Sequence, residues 1–232
     1  MIISDTKQFI FIHVPKCAGT SVRSILRKHD TRNNFYWMNH LLPGATKDHQ
    51  PLPVDKAHMT LPILKKLYPN DFKLLSEYTT FAVSRHPRAR LISAFFEPRR
   101  KLLEIAKSKS AKAIESTRKI FREYIYALTT NANFLDPQFV HATPQSLFHI
   151  YRGKMLTDVV INLENPGNGL AKLRLLNHEA WLLTQEALNT KKNQKKLPDE
   201  LLLWDSLPES LQRKSAEIYQ EDCELLDYRF LD

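Results

Sequence analysis

The sequence predicts an α/β protein: three layers, with a central, mainly parallel sheet flanked by helices. Three observations predict it. Short β-rich apolar runs recur at 9–13, 79–84 and 158–163. Each run is followed by a segment of helical period, and parallel neighbours need such a crossover. No repeat and no Gly/Ser-rich linker divides the 232 residues, a length that suits a single domain over 1–232.

The elements follow in order. Phe9-Ile10-Phe11-Ile12-His13 reads as a buried strand. Pro15 and Gly19 interrupt it, and from Thr20 the spacing Val22, Ile25, Leu26 turns helical. The stretch 29–53 is polar and rich in Asn, His and Pro, a long loop of the kind that often carries function. A short helix is predicted over 61–68, with Pro62 in its first turn. Thr79-Thr80-Phe81-Ala82-Val83-Ser84 is the second strand, and Pro87 opens a long helix bent at Pro98. Residues 107–128 form a basic amphipathic helix. The third strand, 158–163, leads through Asn165-Pro166-Gly167 into another helix. A basic loop at 191–196 precedes a last helix over 207–226.

Composition narrows the partners. A 43% hydrophobic content supports a packed core, and the net charge of +9 favours an anionic ligand. The two cysteines, Cys17 and Cys223, make neither a disulfide framework nor a metal-ligand set, and suit a reducing compartment. The N-terminus lacks a basic-then-apolar signal pattern, and no apolar run is long enough to span a bilayer. The expectation is a cytoplasmic protein without a transmembrane segment and without a metal.

Two motifs carry chemistry. His13-Val14-Pro15-Lys16-Cys17-Ala18-Gly19-Thr20-Ser21 lies between strand and helix, where backbone N–H groups suit a phosphate. Gly19 admits close approach of the main chain, Thr20 and Ser21 add hydroxyl donors, and Lys16 adds a full charge. The arrangement is P-loop-like without being Walker A, because Lys16 precedes Gly19 by three residues and the first glycine is missing. In the second motif, Val83 to Phe95, Arg85 sits just before a helix and can fork onto a phosphate. Ser93 lies two turns further on.

The first motif resembles the 5′-phosphosulfate loop of sulfotransferases that use 3′-phosphoadenosine 5′-phosphosulfate (PAPS). It is closest to the carbohydrate branch with the heparan sulfate and uronyl 2-O-sulfotransferases, where His-x-Pro-Lys-x-Gly/Ala-Gly-Thr-Ser is usual. The second motif resembles the family pattern Val-x-Arg-x-Pro-x-x-Arg-x-x-Ser-x-Tyr, with Phe95 in place of the Tyr. The resemblance implies that Lys16 contacts the bridging oxygen and the transferring sulfuryl group. It implies that Cys17, Ala18, Gly19, Thr20 and Ser21 bind around the 5′-phosphosulfate, and that Arg85 and Ser93 hold the 3′-phosphate. Weaker matches cover most of the chain. His141-Ala142-Thr143-Pro144-Gln145 implies acceptor contacts at His141 and Gln145. The 188–192 segment looks like the loop over the 3′-phosphate, with Asn189, Lys191 and Lys192. Residues 218–228 look like the family's closing helix, with Tyr219, Asp222 and Tyr228 as scaffold.

Sulfuryl transfer also needs a base for the acceptor hydroxyl. His58 resembles the family's base, although Ala57 stands where glycine is usual. His141 and Glu97 are the other candidates, and Arg90 is expected to pair with an acid. Two further readings share these features: a P-loop small-molecule kinase, and a non-catalytic basic module for anions.

Overall fold

The computed structural model describes residues 1–32, 56–131, 133–136, 138–189 and 201–230. The chain forms two compact units interleaved in sequence: 1–85 with 145–192, and 86–144 with 193–232.

The first unit holds the sheet. Strands β1 (Ile2–Ser4), β2 (Phe9–Ile12), β3 (Thr79–Ser84) and β6 (Val159–Asn162) lie in that order. β1 runs antiparallel to β2, whereas β2–β3 and β3–β6 are parallel. In register, Ile12 faces Ala82 and Ser84 faces Asn162. β2 is buried throughout, as expected of a strand covered on both faces. Phe81 meets Phe9 and Phe11 at ring-centroid distances of 5.8 and 5.4 Å. The remaining strands, β4 (Ile150–Tyr151) and β5 (Lys154–Met155), form a hairpin with Arg152 and Gly153 at positive φ, as a tight primed turn requires.

Helices flank the sheet as the sequence predicts. They are α1 (Gly19–Leu26), α2 (Leu61–Leu67), α3 (Pro69–Lys73), α7 (Gly167–Leu176) and α8 (His178–Asn189). α1 packs on α8, and α7 packs on both α8 and β6. Gly169 makes the α7–β6 approach possible: a Cβ there would lie 2.8 Å from the Cα of Ile161. Buried His149 fixes the end of β3, with Nε2 2.9 Å from Ser84 Oγ and Nδ1 3.1 Å from Thr157 Oγ1.

The second unit is helical among its described residues. α4 (Pro87–Phe96), α5 (Arg100–Ala106), α6 (Ala111–Asn131), α9 (Glu209–Ile218) and α10 (Gln220–Leu226) surround a core of Phe95, Phe121, Tyr124, Ile125 and Tyr219. α6 presents Phe121, Tyr124, Ile125 and Leu128 at helical spacing to that core. The long helix expected from Pro87 breaks at 97–99, and the one expected over 207–226 breaks at Tyr219. None of the described helices is long and apolar enough to cross a membrane.

Candidate active site

Parallel pairing of β2 and β3 sends their carboxyl ends to the same edge of the sheet. That edge is where α/β proteins bind ligands. The 13–18 loop leaves β2 there, and Arg85 leaves β3 one residue past its last strand position.

The loop is built from unusual backbone. Lys16 and Ala18 both have positive φ, 66° and 61°. Such conformations cost a non-glycine residue on the order of 1–3 kcal/mol and persist where the surroundings impose them. Left-handed residues close to a helix start turn successive N–H groups toward a common point, a concavity suited to anions. Ala18 caps α1 without a side-chain acceptor; its carbonyl takes the Ser21 and Val22 N–H groups at 3.0 and 3.3 Å and offers nothing to those of Gly19 and Thr20. Lys16 is half-buried, Thr20 is exposed, Ser21 is half-buried, and Cys17, Ala18 and Gly19 are buried. These groups fit a 5′-phosphosulfate.

Gly19 has a different role from the one its sequence position suggests. The required left-handed positions are Lys16 and Ala18, whereas a Cβ on Gly19 would fall 1.9 Å from His13 Nε2. Its missing side chain makes room for the His13 imidazole. That ring in turn lies against His58, with centroids 4.6 Å apart and planes inclined by 52°. His58 ends a short 3₁₀ turn, Lys56–His58, and is half-buried. The structure therefore brings His58 against His13, at the start of the 13–18 loop.

Arg85 is held at both ends. Its guanidinium Nε lies 3.7 Å from Glu164 Oε1. Its backbone N–H donates to Gln145 Oε1 at 3.0 Å, and its carbonyl accepts from Gln145 Nε2 at 2.8 Å. Gln145, expected from the sequence beside the acceptor, is fully buried, and its Oε1 also accepts from Cys17 Sγ at 3.3 Å.

The other expected residues lie elsewhere in the chain. Asn189 is the exposed last residue of α8, and Lys191 and Lys192 lie outside the described residues. Ser93, on α4, and Glu97, at its end, are half-buried in the second unit. His141 belongs to the 3₁₀ turn Val140–Ala142, and its carbonyl accepts from Arg90 Nη1 at 2.9 Å. Arg90 is wholly buried; its Nη2 donates to the Thr143 carbonyl at 2.6 Å and lies 3.9 Å from Asp222. Tyr219, also buried, donates to the Ala142 carbonyl at 2.6 Å. Among the described residues no group of three His, Cys, Asp or Glu side chains could hold a metal ion.

Sequence reasoning missed the contact of His13 with His58, the pairing of Arg85 with Glu164, and the grip of Gln145 on Arg85. The last joins residues 60 apart in the chain. Nothing in a local pattern signals it.

A strand–loop–helix at the carboxyl edge of a parallel sheet is the architecture of a nucleotide-handling α/β enzyme. The profile of the Sulfotransferase family matches residues 1–229, so the chain belongs to the sulfotransferase family, enzymes that use PAPS as donor. Searches of curated proteins and of solved structures returned no match. Family membership sets aside the kinase and the non-catalytic module.

Proposed function

We propose that this sulfotransferase moves the sulfuryl group of PAPS onto a hydroxyl of a carbohydrate or glycoconjugate by in-line displacement. The observation that supports the reading is the edge shared by the left-handed 13–18 loop and Arg85, set there by the parallel register of β2 and β3. Lys16 stabilises the negative charge that grows on the oxygen leaving sulfur, an interaction stronger in the transition state than in the ground state. His58 accepts the proton of the acceptor hydroxyl as its oxygen bonds to sulfur. Cys17, Ala18, Gly19, Thr20 and Ser21 surround the 5′-phosphosulfate. Arg85, Ser93, Asn189, Lys191 and Lys192 recognise the 3′-phosphate, and His141 meets the acceptor. The two units act as one catalytic domain, a reading supported by a family match that runs across both. No metal takes part, so a chelator should leave turnover unchanged.

The test pairs binding with transfer. The desulfated product, 3′-phosphoadenosine 5′-phosphate (PAP), should raise the melting temperature, since ligand at 100 times its dissociation constant stabilises by about 2.7 kcal/mol. ATP should protect much less. Labelled sulfate should pass from PAPS to oligosaccharides rather than to phenols or steroids, and Lys16→Ala should abolish that transfer while still binding PAP. Equal protection by ATP and PAP would overturn the 3′-phosphate assignment, and transfer to phenols alone would overturn the acceptor class.

A further inference from the structure

β3 ends at Ser84, whose carbonyl still accepts from Leu163 N–H at 2.8 Å. Arg85 lies one step beyond the ladder, where the sheet no longer dictates its backbone. Gln145 supplies what the sheet does not. Its carboxamide accepts from the Arg85 N–H and donates to the Arg85 carbonyl, at 3.0 and 2.8 Å, as a paired strand residue would. The carboxamide is fully buried, so these bonds are shielded from competing water. The same Oε1 accepts from Cys17 Sγ, in the other phosphate loop, at 3.3 Å. One buried side chain thus touches both segments read as holding the donor.

We infer that Gln145 is a positioning residue: it sets the backbone of Arg85, and so the aim of the guanidinium, for recognition of the donor's 3′-phosphate. The inference rests on the proposed role of Arg85. A guanidinium pairs well with phosphate only in a narrow geometry, and an Arg whose main chain is loose loses that aim before it loses its charge. Glu164, 3.7 Å from Arg85 Nε, orients the side chain only once the main chain is fixed.

A purely structural glutamine would affect all ligands alike, so the readout is selectivity. The dissociation constants of PAP and of 5′-AMP, which lacks the 3′-phosphate, are measured for wild type, Arg85→Ala, Gln145→Met and the double variant. Arg85→Ala should lose preference for PAP. Gln145→Met, similar in size without the hydrogen bonds, should weaken PAP about 10-fold and 5′-AMP less than about 2-fold, as expected for one or two lost hydrogen bonds. The double variant should resemble Arg85→Ala alone, since Gln145 acts through Arg85. Under saturating donor, kcat of Gln145→Met should fall less than kcat/KM for PAPS. If Gln145→Met keeps wild-type preference while Arg85→Ala loses it, the inference is wrong and the role of Arg85 stands. Equal weakening of both nucleotides by Gln145→Met also overturns it. If Arg85→Ala keeps its preference, the role of Arg85 fails and takes the inference with it. Should Gln145→Met not fold, Gln145→Asn decides: it keeps the chemistry but is too short to span both bonds, so retained selectivity there counts against the inference.

Discussion

A methyl group on Gly19 would fall 1.9 Å from His13 Nε2, so the imidazole of Gly19→Ala must shift. That imidazole lies against His58, and the disturbance should reach the proposed base. Overpacking of this kind typically costs about 1–3 kcal/mol. Gly19→Ala should therefore lower the denaturation midpoint and reduce turnover, and adding His13→Ala should restore much of the lost stability by vacating the space. A Gly19→Ala protein as stable as wild type would show that the ring has somewhere else to go. The base itself is tested by His58→Ala, which should fold and bind PAP yet lose about 10²–10⁴-fold in transfer rate. If transfer survives in His58→Ala and is lost in His141→Ala or Glu97→Ala, the base is one of those. The motif around Gly19 was legible in the sequence, because residue type and spacing carry it. The reason for the glycine was not, because it depends on which ring occupies the space above it.

At the scale of elements, α4, the 140–142 turn and α10 are tied together by one buried cation. Arg90 donates to the carbonyls of His141 and Thr143 at 2.9 and 2.6 Å and lies beside buried Asp222. Removing one partner of a buried pair leaves an uncompensated charge and typically costs about 3–5 kcal/mol. Arg90→Ala should show a loss of that size in denaturant unfolding, and Arg90→Ala/Asp222→Ala should lose less than the sum of the two single changes. Strict additivity would mean the two side chains do not sense each other. The sequence reading expected Arg90 to meet an acid and placed β3 at its observed bounds, since a β-rich run ending before His-Pro is a strong local signal. It missed β1, only three residues long, and the β4–β5 hairpin, although Gly153 at its turn offered a cue. It also carried the last helix through Tyr219. The apolar period continues unbroken across that residue, and the break falls where a buried hydroxyl is bonded to Ala142, 77 residues away.

At the scale of the molecule, the two units carry their titratable strain at opposite ends of the pH range. In the first unit, hydrogen bonds from Arg32 and Thr31 hold the Asp5 carboxyl well below the usual carboxylate range. That stability is present above the ordinary carboxylate pKa of about 3.9 and is lost as pH falls below it. Burial pushes the Asp71 carboxyl upward instead, which offsets part of the acid loss. The first unit also has a raised phenol, Tyr78, but it is only half-buried and owes its shift mainly to a hydrogen bond with Asp5. In the second unit, burial pushes the Tyr124 phenol up to about 12 and the Cys223 thiol up to about 11, and it raises fully buried Tyr219 as well. Groups with raised pKa values contribute stability in full below their unfolded values, about 8.5 for Cys and 10 for Tyr, and lose it as pH climbs through the folded ones. The second unit should therefore open first on the alkaline side, between about pH 8.5, where unfolded cysteine ionises, and about 12, where folded Tyr124 does. Buried Trp204 reports that unit and half-buried Trp181 the first. In single-tryptophan variants, Trp204 emission should shift to the red at lower pH than Trp181 emission. Tyr124→Phe, which removes one ionising phenol, should move the Trp204 midpoint upward and leave that of Trp181 in place. Simultaneous shifts, or a Tyr124→Phe midpoint equal to wild type, would assign the alkaline limit to groups outside this core.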